Sequence, residues 1–371
     1  MLKYLFALVV CMHGLIHALG FLKAFHLGGE QITKAVSKPL GLVWLAVMMM
    51  FIITAIFFLL KEKHWPLVSM VAVLLSQILI IIFWKDAKMG TAVNAVILFI
   101  ALPAYAQEAF SLSSEIQSTT LLESFDNNDI ITHNDVEHLP PIVQKCLHNS
   151  GAIGKSKAGT VRLKQKGKMK LKPDADWMDF NAEQYFNLKD PAFVWTTKVQ
   201  MSSLVYFNGR DELKEGKGKM LIKAQSLINM VNEYDNEKIN SGALIRFLGE
   251  SSWFPQFFAS DYMEWEELGP TTARATLTYQ DLKAQGTFEF TADGDVKSFS
   301  TQRYYGAGKE ATEENWIVEM ESYKNLDGVK VPNKCKVTWK LNEGDFNWLI
   351  LEIVDLAYNP DGLYETPLGS Q

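Results

Sequence analysis

The chain has 371 residues, of which 48% are hydrophobic and 21% are charged, and it contains three cysteines. Residues 1–106 carry 8 Lys, no Arg and 3 acidic residues (net +5), whereas the other 265 residues carry 28 basic and 39 acidic side chains (net −11), and the two sums give the total of −6. An apolar basic part followed by an acidic part excludes a purely cytosolic enzyme, a disordered chain and a general nucleic-acid binder.

Four apolar runs occupy the first part of the chain, at residues 4–22, 40–60, 66–84 and 91–105, and none of them contains Lys, Arg, Asp or Glu. A bilayer core requires about 20 helical residues, so the first three runs have the expected length and the fourth is short. Because backbone polar groups in lipid must pair within their own segment, we predict four transmembrane helices in residues 1–106. The chain is therefore predicted to be an integral protein of an inner or plasma membrane.

The distribution of lysines predicts the orientation of these helices. Five lysines lie in the loops at 23–39 and 85–90, whereas the opposite side holds three. The side with more Lys is expected to face the cytoplasm, which places the amino terminus outside. With four spans, the large carboxy-terminal domain is then extracytoplasmic as well.

The first run contains His13 and His17, four residues apart on one helical face. Ionisable groups within a membrane are candidates for metal or haem ligands or for a proton relay. The alternative is a pair of neutral imidazoles that hydrogen-bond between helices, with Ser76, Gln77 and Asn94 as further polar contacts. No carboxylate or third His lies at comparable depth, so we predict no metal site and no cofactor.

Residues 107–138 are polar and acidic and are predicted to form a linker, and residues 139–371 to form the globular domain, which opens with a short helix after Pro140-Pro141. From Thr160 the apolar period changes to two, and many strand-like runs follow, separated by turn signals such as Asn208-Gly209. Two segments, 222–231 and 242–251, have a helical period instead. We predict an α+β protein in which the transmembrane helices precede a large antiparallel sheet, a half-barrel with two inserted helices.

The globular domain lacks the residues of several common active sites. Every His lies at or before His148, so a Ser-His-Asp or Cys-His arrangement cannot be built within the sheet. Cys146 and Cys335 are too few for a zinc site, and they are expected either to form a disulfide or to stay as buried thiols. Catalysis would have to use carboxylates, Tyr, Lys or Arg.

One strand has a line of basic residues on its even positions. On an otherwise acidic domain this positive stripe is a candidate contact for an anionic lipid surface or an acidic partner. The alternative is a solvated outer face that also discourages pairing at an edge. The stripe comprises Arg162, Lys164, Lys166, Lys168 and Lys170.

A wide sheet with two short helices has more apolar face than those helices can cover. We expect the remainder to form a cleft for an acyl chain or another apolar ligand, although core packing explains most of the dense aromatic residues. Arg210, in a predicted turn, and Arg246, at i, i+4 from Glu250, are candidates for an acidic head group, with structural salt bridges as the alternative role. The aromatic candidates for this ligand site are Trp195, Trp253, Phe254 and Trp265.

Several motifs resemble an uncharacterised bacterial membrane-protein family that is known only as a domain of unknown function. They are HGLIH at 13–17, WMDFNAEQY at 177–185, GRD at 209–211, GKM at 218–220, GALIRFLGE at 242–250 and WFP at 253–255. That resemblance implies no catalytic residue. The predicted sheet also looks like the lipoprotein-carrier (LolA-like) half-barrel, a resemblance that implies an acyl-binding cup.

Three functions follow, in decreasing order of support. The first is a membrane-anchored extracytoplasmic module that binds a lipid or another apolar envelope component. The second is a structural or sensory membrane subunit that binds an envelope protein. The third is a carboxylate-dependent envelope hydrolase or transferase. No nucleic-acid partner is expected.

Overall fold

The structure, a computed structural model, describes residues 2–122, 129–202, 205–306 and 310–366. The chain divides into two compact units, Met1–Phe110 and Ser111–Gln371. Residues 123–128 of the predicted linker lie outside the described residues.

The amino-terminal unit is helical, as the apolar runs predict. The helices are α1 (Leu2–Ile16), α2 (Ala18–Ala24), α3 (Lys38–Leu60), α4 (Trp65–Ile82), α5 (Trp84–Ala87) and α6 (Gly90–Leu121). Among the described residues, four stretches are long and apolar enough to cross a membrane: Leu2–Ala24, Lys38–Leu60, Trp65–Ile82 and Gly90–Leu121. A proline lies in the first turn of both α3 and α4. The N–H groups of a first turn have no partner within the helix, so the proline, which has no N–H, costs no hydrogen bond there. The last helix continues to Leu121, well beyond the predicted end of the fourth run.

The second unit is built on one antiparallel sheet, which has thirteen strands within the described residues, in the order β6-β5-β4-β3-β2-β1-β13-β12-β11-β10-β9-β8-β7. Consecutive strands pair with each other except β6 and β7, and the pairing of β1 with β13 joins the two halves. The sheet is open, with β6 and β7 at its edges. The strands are β1 (Thr160–Met169), β2 (Met178–Asn187), β3 (Ala192–Gln200), β4 (Tyr206–Lys214), β5 (Lys217–Ala224), β6 (Ile228–Tyr234), β7 (Met263–Gly269), β8 (Thr272–Tyr279), β9 (Leu282–Phe290), β10 (Val296–Tyr305), β11 (Thr312–Leu326), β12 (Val329–Leu341) and β13 (Gly344–Tyr358).

Two helices pack against this sheet. Helix α7 (Pro141–Asn149) precedes β1, and α8 (Glu237–Glu250) connects the two edge strands β6 and β7, followed by two short 3₁₀ turns. The main core of the unit contains buried residues of α7, α8, the 3₁₀ turns and the sheet. Its largest fully buried side chains are phenylalanines, including Phe186, Phe247, Phe254, Phe258 and Phe299. The predicted α+β class is confirmed.

The prediction of an inserted helix at residues 222–231 is wrong. Residues 222–231 form the end of β5, a turn and the start of β6. Gln225 and Ser226 have φ angles of 51° and 57°, as a two-residue hairpin turn of the mirror-image type requires. Apolar residues at 222, 224, 228 and 230 fit a period of two as well as a helical period, and strand pairing decides between them. The second predicted helix, at 242–251, lies within α8 except for its last residue.

The predicted turn at Asn208-Gly209 is also wrong. Both residues lie inside β4, which pairs with β3 on one side and β5 on the other. The chain reverses earlier, where the Met201 and Ser202 N–H groups donate to the Val205 carbonyl. Because ladders on both sides fix this segment as a central strand, tertiary pairing overrides the local preference of Asn-Gly for a turn.

Candidate functional site

A cavity of about 610 Å³ lies between the amino-terminal half of α8 and strands β4 to β6 and β10. Its apolar lining includes Phe193, Met220, Val231, Ile239 and Ala243. The predicted cleft is therefore only partly filled by the chain itself. Elsewhere on this face the core is closely packed by α7, α8 and the 3₁₀ turns.

The start of α8 is fixed to β5 by short contacts. The side chain of Asn236 caps the helix, accepting a hydrogen bond from the Ile239 N–H at 3.1 Å. The Gly218 N–H donates to Asn240 Oδ1 at 2.7 Å. A Cβ atom at Gly218 would lie 2.5 Å from the Ile239 carbonyl oxygen, so only glycine allows this approach. These contacts position α8 as one wall of the cavity.

Arg246 of α8 lines the cavity and contacts two carboxylates. Its Nη1 donates to Asp211 Oδ2 at 2.8 Å, and its Nε donates to Glu250 Oε1 at 2.7 Å. The guanidinium also lies 4.7 Å from the ring centre of Trp195 and 5.1 Å from that of Phe193. All three members of the ion-pair network have side chains that are no more than 21% exposed. This network joins α8 to β4 across the wall of the cavity.

A chain of amide groups extends the network into the sheet. Gln184 Nε2 donates to Glu250 Oε2 at 2.6 Å, and Trp195 Nε1 donates to Gln165 Oε1 at 2.8 Å. Gln165 and Gln184 contact each other at 3.4 Å. Each of these buried polar groups thus has a partner, which removes the cost of taking it out of water.

Arg303 of β10 is the second arginine at the cavity. Its guanidinium lies 4.9 Å from the ring centre of Trp316 and 5.8 Å from that of Trp339. Within the described residues it makes no hydrogen bond and no ion pair. Gly242 of α8 lies against it, since a Cβ there would be 3.7 Å from Arg303 Nε.

Burial dominates the electrostatics of this end of the cavity. It raises the pKa values of Asp211 and Glu250, more than the positive charge of Arg246 lowers them. Burial lowers the pKa of Arg246, but its two carboxylate partners raise it further and the net shift is upward. For Arg303, burial and the charge of Arg246 together lower the pKa to about 10. At neutral pH both arginines remain protonated.

The six predicted ligand residues are not brought together. Arg246 lines the cavity, and Trp195 supports its guanidinium. Arg210 is buried and engaged within the second unit, because its Nε lies 2.6 Å from Glu212 Oε1 and its Nη1 donates to Ser113 Oγ at 2.9 Å.

Of the three remaining aromatic candidates, two lie in the core and the half-buried Trp265 packs against it. Trp253 and Phe254 are buried, and the Phe254 ring packs 4.9 Å from that of Phe186. Trp265 donates its indole N–H to the Phe258 carbonyl at 2.9 Å. None of the three is among the lining residues of the cavity in the described part of the chain.

The basic stripe lies on β1 opposite acidic partners. Lys164 Nζ is 3.8 Å from Glu183, Lys166 Nζ is 3.5 Å from Glu352, and Lys168 Nζ is 3.8 Å from Asp179. Cross-strand carboxylates therefore offset three of the five positive charges. The two ends of the stripe contact other groups: the Arg162 guanidinium donates to the Gly362 carbonyl and Lys170 lies over the Trp177 ring.

His13 and His17 belong to a polar network between the helices of the first unit. His13 Nε2 lies 2.9 Å from Asn94 Oδ1, and His17 Nε2 lies 2.9 Å from Ser76 Oγ. Asn94 Nδ2 donates to Gln77 Oε1 at 3.1 Å. No group of three or more His, Cys, Asp or Glu residues suited to a metal ion occurs among the described residues. The geometry is that of interhelical hydrogen bonding.

Two features of the site were not predicted from the sequence. One is the position of Arg303 at the cavity, and the other is the ion pair between Asp211 and Arg246. A signal for Arg303 was present, because it lies on the same side of its strand as the fully buried Phe299. A charge at an inward position of a strand requires a partner or a ligand. The pairing of Asp211 with Arg246 spans 35 residues, and no local spacing predicts it.

Comparison with known proteins places the chain in a family. The family model of DUF6544, described as a family of unknown function, matches residues 129–351, and the chain belongs to this family. The resemblance to a family of unknown function is thereby confirmed. No curated protein matches the chain.

Two solved structures are similar to the sheet unit. A LolA superfamily protein from Nitrosomonas europaea has 10% sequence identity and a TM-score of 0.36, and the match covers 61% of this chain and 94% of that one. A DUF1329 family protein from Desulfovibrio piger has 8% identity and a TM-score of 0.35, with 60% and 92% of the two chains covered.

Proposed function

We propose that this member of the DUF6544 family is a membrane-anchored module that binds one lipid-like molecule in the cavity between α8 and strands β4 to β6 and β10. The observation that carries the proposal is the cavity of about 610 Å³, whose lining combines apolar side chains with charged ones of both signs. The charged lining residues are Asp211, Glu212, Lys219, Glu233, Glu237, Lys238, Arg246 and Arg303. Ligand pockets commonly measure roughly 300–1,000 Å³ and combine an apolar lining with a few convergent polar groups.

The apolar part of the lining suits an acyl chain, and its charged part suits a polar head group. Met220 and Val231 come from the β5–β6 hairpin, and Ile239 and Ala243 from α8. An acyl chain that covers these side chains removes apolar surface from water on both partners, which favours binding by about 25 cal/mol per Å² of area buried. The candidate membrane helices of the same chain keep the module at a membrane, where such molecules are concentrated.

Placement of the binding domain outside the cytoplasm is also part of the proposal, and the lysine distribution supports it. Labelling of single cysteines introduced at exposed positions of the sheet unit, with a membrane-impermeant reagent on intact cells, tests this placement. Labelling without permeabilisation is the expected result. Labelling only after permeabilisation would reverse the topology and leave the binding proposal intact.

Native mass spectrometry of the full-length protein, released from detergent, tests the binding proposal. The wild type should carry one lipid in stoichiometric amount, either co-purified or taken up from added lipid. Ala243→Trp places a large side chain in the cavity and should abolish this adduct. Ala292→Trp, at an exposed turn, is the matched control and should retain it. An unliganded wild type that takes up no lipid, or an adduct that survives Ala243→Trp, contradicts the proposal.

A protein partner is the second candidate function, and the edge strand β6 favours it. Ile228, Met230 and Tyr234 expose 64%, 59% and 59% of their surface on that strand. Edge strands with exposed apolar residues are sites where another chain can pair. The basic stripe gives this candidate less support than the sequence suggested, because carboxylates on β2 and β13 face its lysines.

The carboxylate-dependent enzyme is the third candidate. Asp211 and Glu250 do converge, but both accept hydrogen bonds from Arg246. A carboxylate oxygen that is bound to a guanidinium of the protein is not offered to a substrate, and acid-base catalysis requires direct proton exchange with one.

A further inference from the structure

We infer that Arg303 recognises an oxyanion, a carboxylate or a phosphate ester, at the head of the amphiphile that occupies the cavity. This inference rests on the proposed function and specifies the chemistry of its ligand. It goes beyond the sequence prediction, which assigned the acidic head group to Arg210 and Arg246. Both of those side chains are committed to carboxylates of the protein.

Arg303 differs from the other arginines of the sheet unit in its contacts. Each of the other four donates to, or pairs with, an oxygen atom of the protein: Arg162 with the Gly362 carbonyl, Arg210 with Glu212, Arg246 with Asp211 and Glu250, and Arg274 with Glu266. Arg303 contacts the rings of Trp316 and Trp339, and among the described residues it has no hydrogen-bond acceptor.

The half-buried Arg303 side chain has donors that no acceptor among the described residues uses. The guanidinium carries five N–H donors in a planar fork, and these are open to a ligand in the cavity. The tryptophan faces compensate for part of the charge but accept no strong hydrogen bond. A carboxylate or phosphate matches the fork with two parallel hydrogen bonds.

The alternative role for Arg303 is to balance charge inside the protein. Asp211 and Glu250 share Arg246, and both carboxylates lie close enough to Arg303 to raise its pKa against the effects of burial and of Arg246. No carboxylate of the described residues forms an ion pair with Arg303, however. A purely structural counter-ion would gain more from direct contact, as Arg246 does. The open position beside the cavity therefore favours a ligand over a second internal pair.

The neighbourhood of Arg303 leaves room for such a head group. The α8 residue that lies against the guanidinium is Gly242, which has no side chain to cover the fork. The Met220, Val231 and Ile239 side chains line the same cavity and suit an apolar tail. The ligand class is thus a single amphiphile with an anionic head and a hydrocarbon chain.

The test uses the full-length protein in nanodiscs of zwitterionic phosphatidylcholine. Two photoreactive probes have the same sixteen-carbon chain, one ending in a carboxylate and the other in a hydroxyl group. After irradiation, the crosslinks on peptides that contain Met220, Val231 or Ala243 are quantified. The wild type should capture the acid about tenfold more efficiently than the alcohol, as the loss of a charge-assisted pair of hydrogen bonds predicts.

The variants separate the head-group contact from binding of the chain. In Arg303→Gln the preference for the acid should fall to about onefold while alcohol capture persists. Arg303→Lys, which keeps the charge without the fork, should retain part of the preference. Arg274→Gln, which removes an exposed arginine outside the cavity, is the matched control and should keep the full preference.

The outcomes distinguish the two proposals. Equal capture of acid and alcohol by the wild type, or an acid preference that survives Arg303→Gln, overturns the inference about Arg303 and leaves the proposed function standing. Absence of crosslinks to the cavity with either probe overturns both. Inorganic phosphate at millimolar concentration should not displace the acid. Displacement would show that a free oxyanion is the ligand and would overturn the assignment of an amphiphile.

Discussion

Arg246 on α8 and Asp211 on β4 are joined by a hydrogen-bonded ion pair of 2.8 Å between Nη1 and Oδ2. The pair ties the helix that crosses between the two edge strands to a central strand of the sheet. Glu250 completes the contact from the next turn of α8 at 2.7 Å. One arginine thus satisfies two carboxylates beside the candidate ligand cavity.

Arg246→Met should destabilise the protein strongly. The methionine keeps much of the side-chain volume but leaves Asp211 and Glu250 buried without their cation. Breaking a buried pair in this way costs about 3–5 kcal/mol. Chemical unfolding of the detergent-solubilised protein, followed by tryptophan fluorescence, measures the loss. Arg274→Met removes an exposed pair and should cost about 0–1 kcal/mol, so similar losses in both variants would refute the structural role of Arg246.

Gly167→Ala should weaken the junction between β1 and β13. A Cβ atom at this position would lie 2.1 Å from the Ile350 carbonyl oxygen and 2.9 Å from the Leu351 Cα atom, so the backbone itself has to move. Overpacking of this kind costs about 1–3 kcal/mol. Gly269→Ala is the control, since nothing lies within 4 Å of a Cβ at that position. Equal unfolding midpoints for the two variants would contradict the close approach of β1 to β13.

Cys146 and Cys335 should react slowly with thiol reagents in the folded protein. Both are free and buried, and burial raises the pKa of each thiol to about 12. The reactive thiolate is therefore scarce at pH 8. In a Cys11→Ser variant, mass spectrometry after alkylation should show no added groups before denaturation and two afterwards. Rapid labelling of the folded protein, or a disulfide that blocks labelling after denaturation, would be inconsistent with the structure.

Asp135 should contribute to stability down to strongly acidic pH. Its carboxylate accepts hydrogen bonds from the Thr132 hydroxyl at 2.6 Å and the Thr132 N–H at 2.7 Å, and these bonds lower its pKa from 3.8 to about 2. A lowered pKa means that the contribution is complete above pH 3.8 and is lost as the pH falls through about 2. The stability difference between wild type and Asp135→Asn should shrink over this interval. A difference that is constant from pH 5 to pH 2 would exclude this effect.

The sequence specified the classes of element better than their boundaries. Apolar runs without charges predicted the long apolar helices that are candidates to cross a membrane, because a segment in lipid must satisfy its own backbone hydrogen bonds. Alternating residues such as Val161 and Leu163 predicted β1 because one face of the sheet is buried. The apolar residues of 222–231 fit both a helical and a strand period. The structure has a strand pair here, β5 and β6, with a mirror-image turn at Gln225 and Ser226. The sequence of this segment alone does not show that its strands also pair into a larger sheet.

The candidate site was predicted only in outline. The surplus of apolar sheet surface predicted a cleft, and the structure has a cavity at one end of α8. The position of α8 on the sheet determines which residues line the cavity. Trp253, Phe254 and Trp265 were predicted from the sequence as ligand contacts, but they lie in the core or pack against it. Arg246 was identified through its spacing from Glu250, whereas Arg303 comes from a strand 57 residues further along the chain.

The most direct test of the account is an experimental density map of the full-length protein purified without delipidation. The account predicts elongated density in the cavity, running past Met220 and Ile239 and ending at the Arg303 guanidinium. A cavity closed by the protein's own side chains, or one that holds only ordered water in a preparation shown to contain lipid, would contradict it.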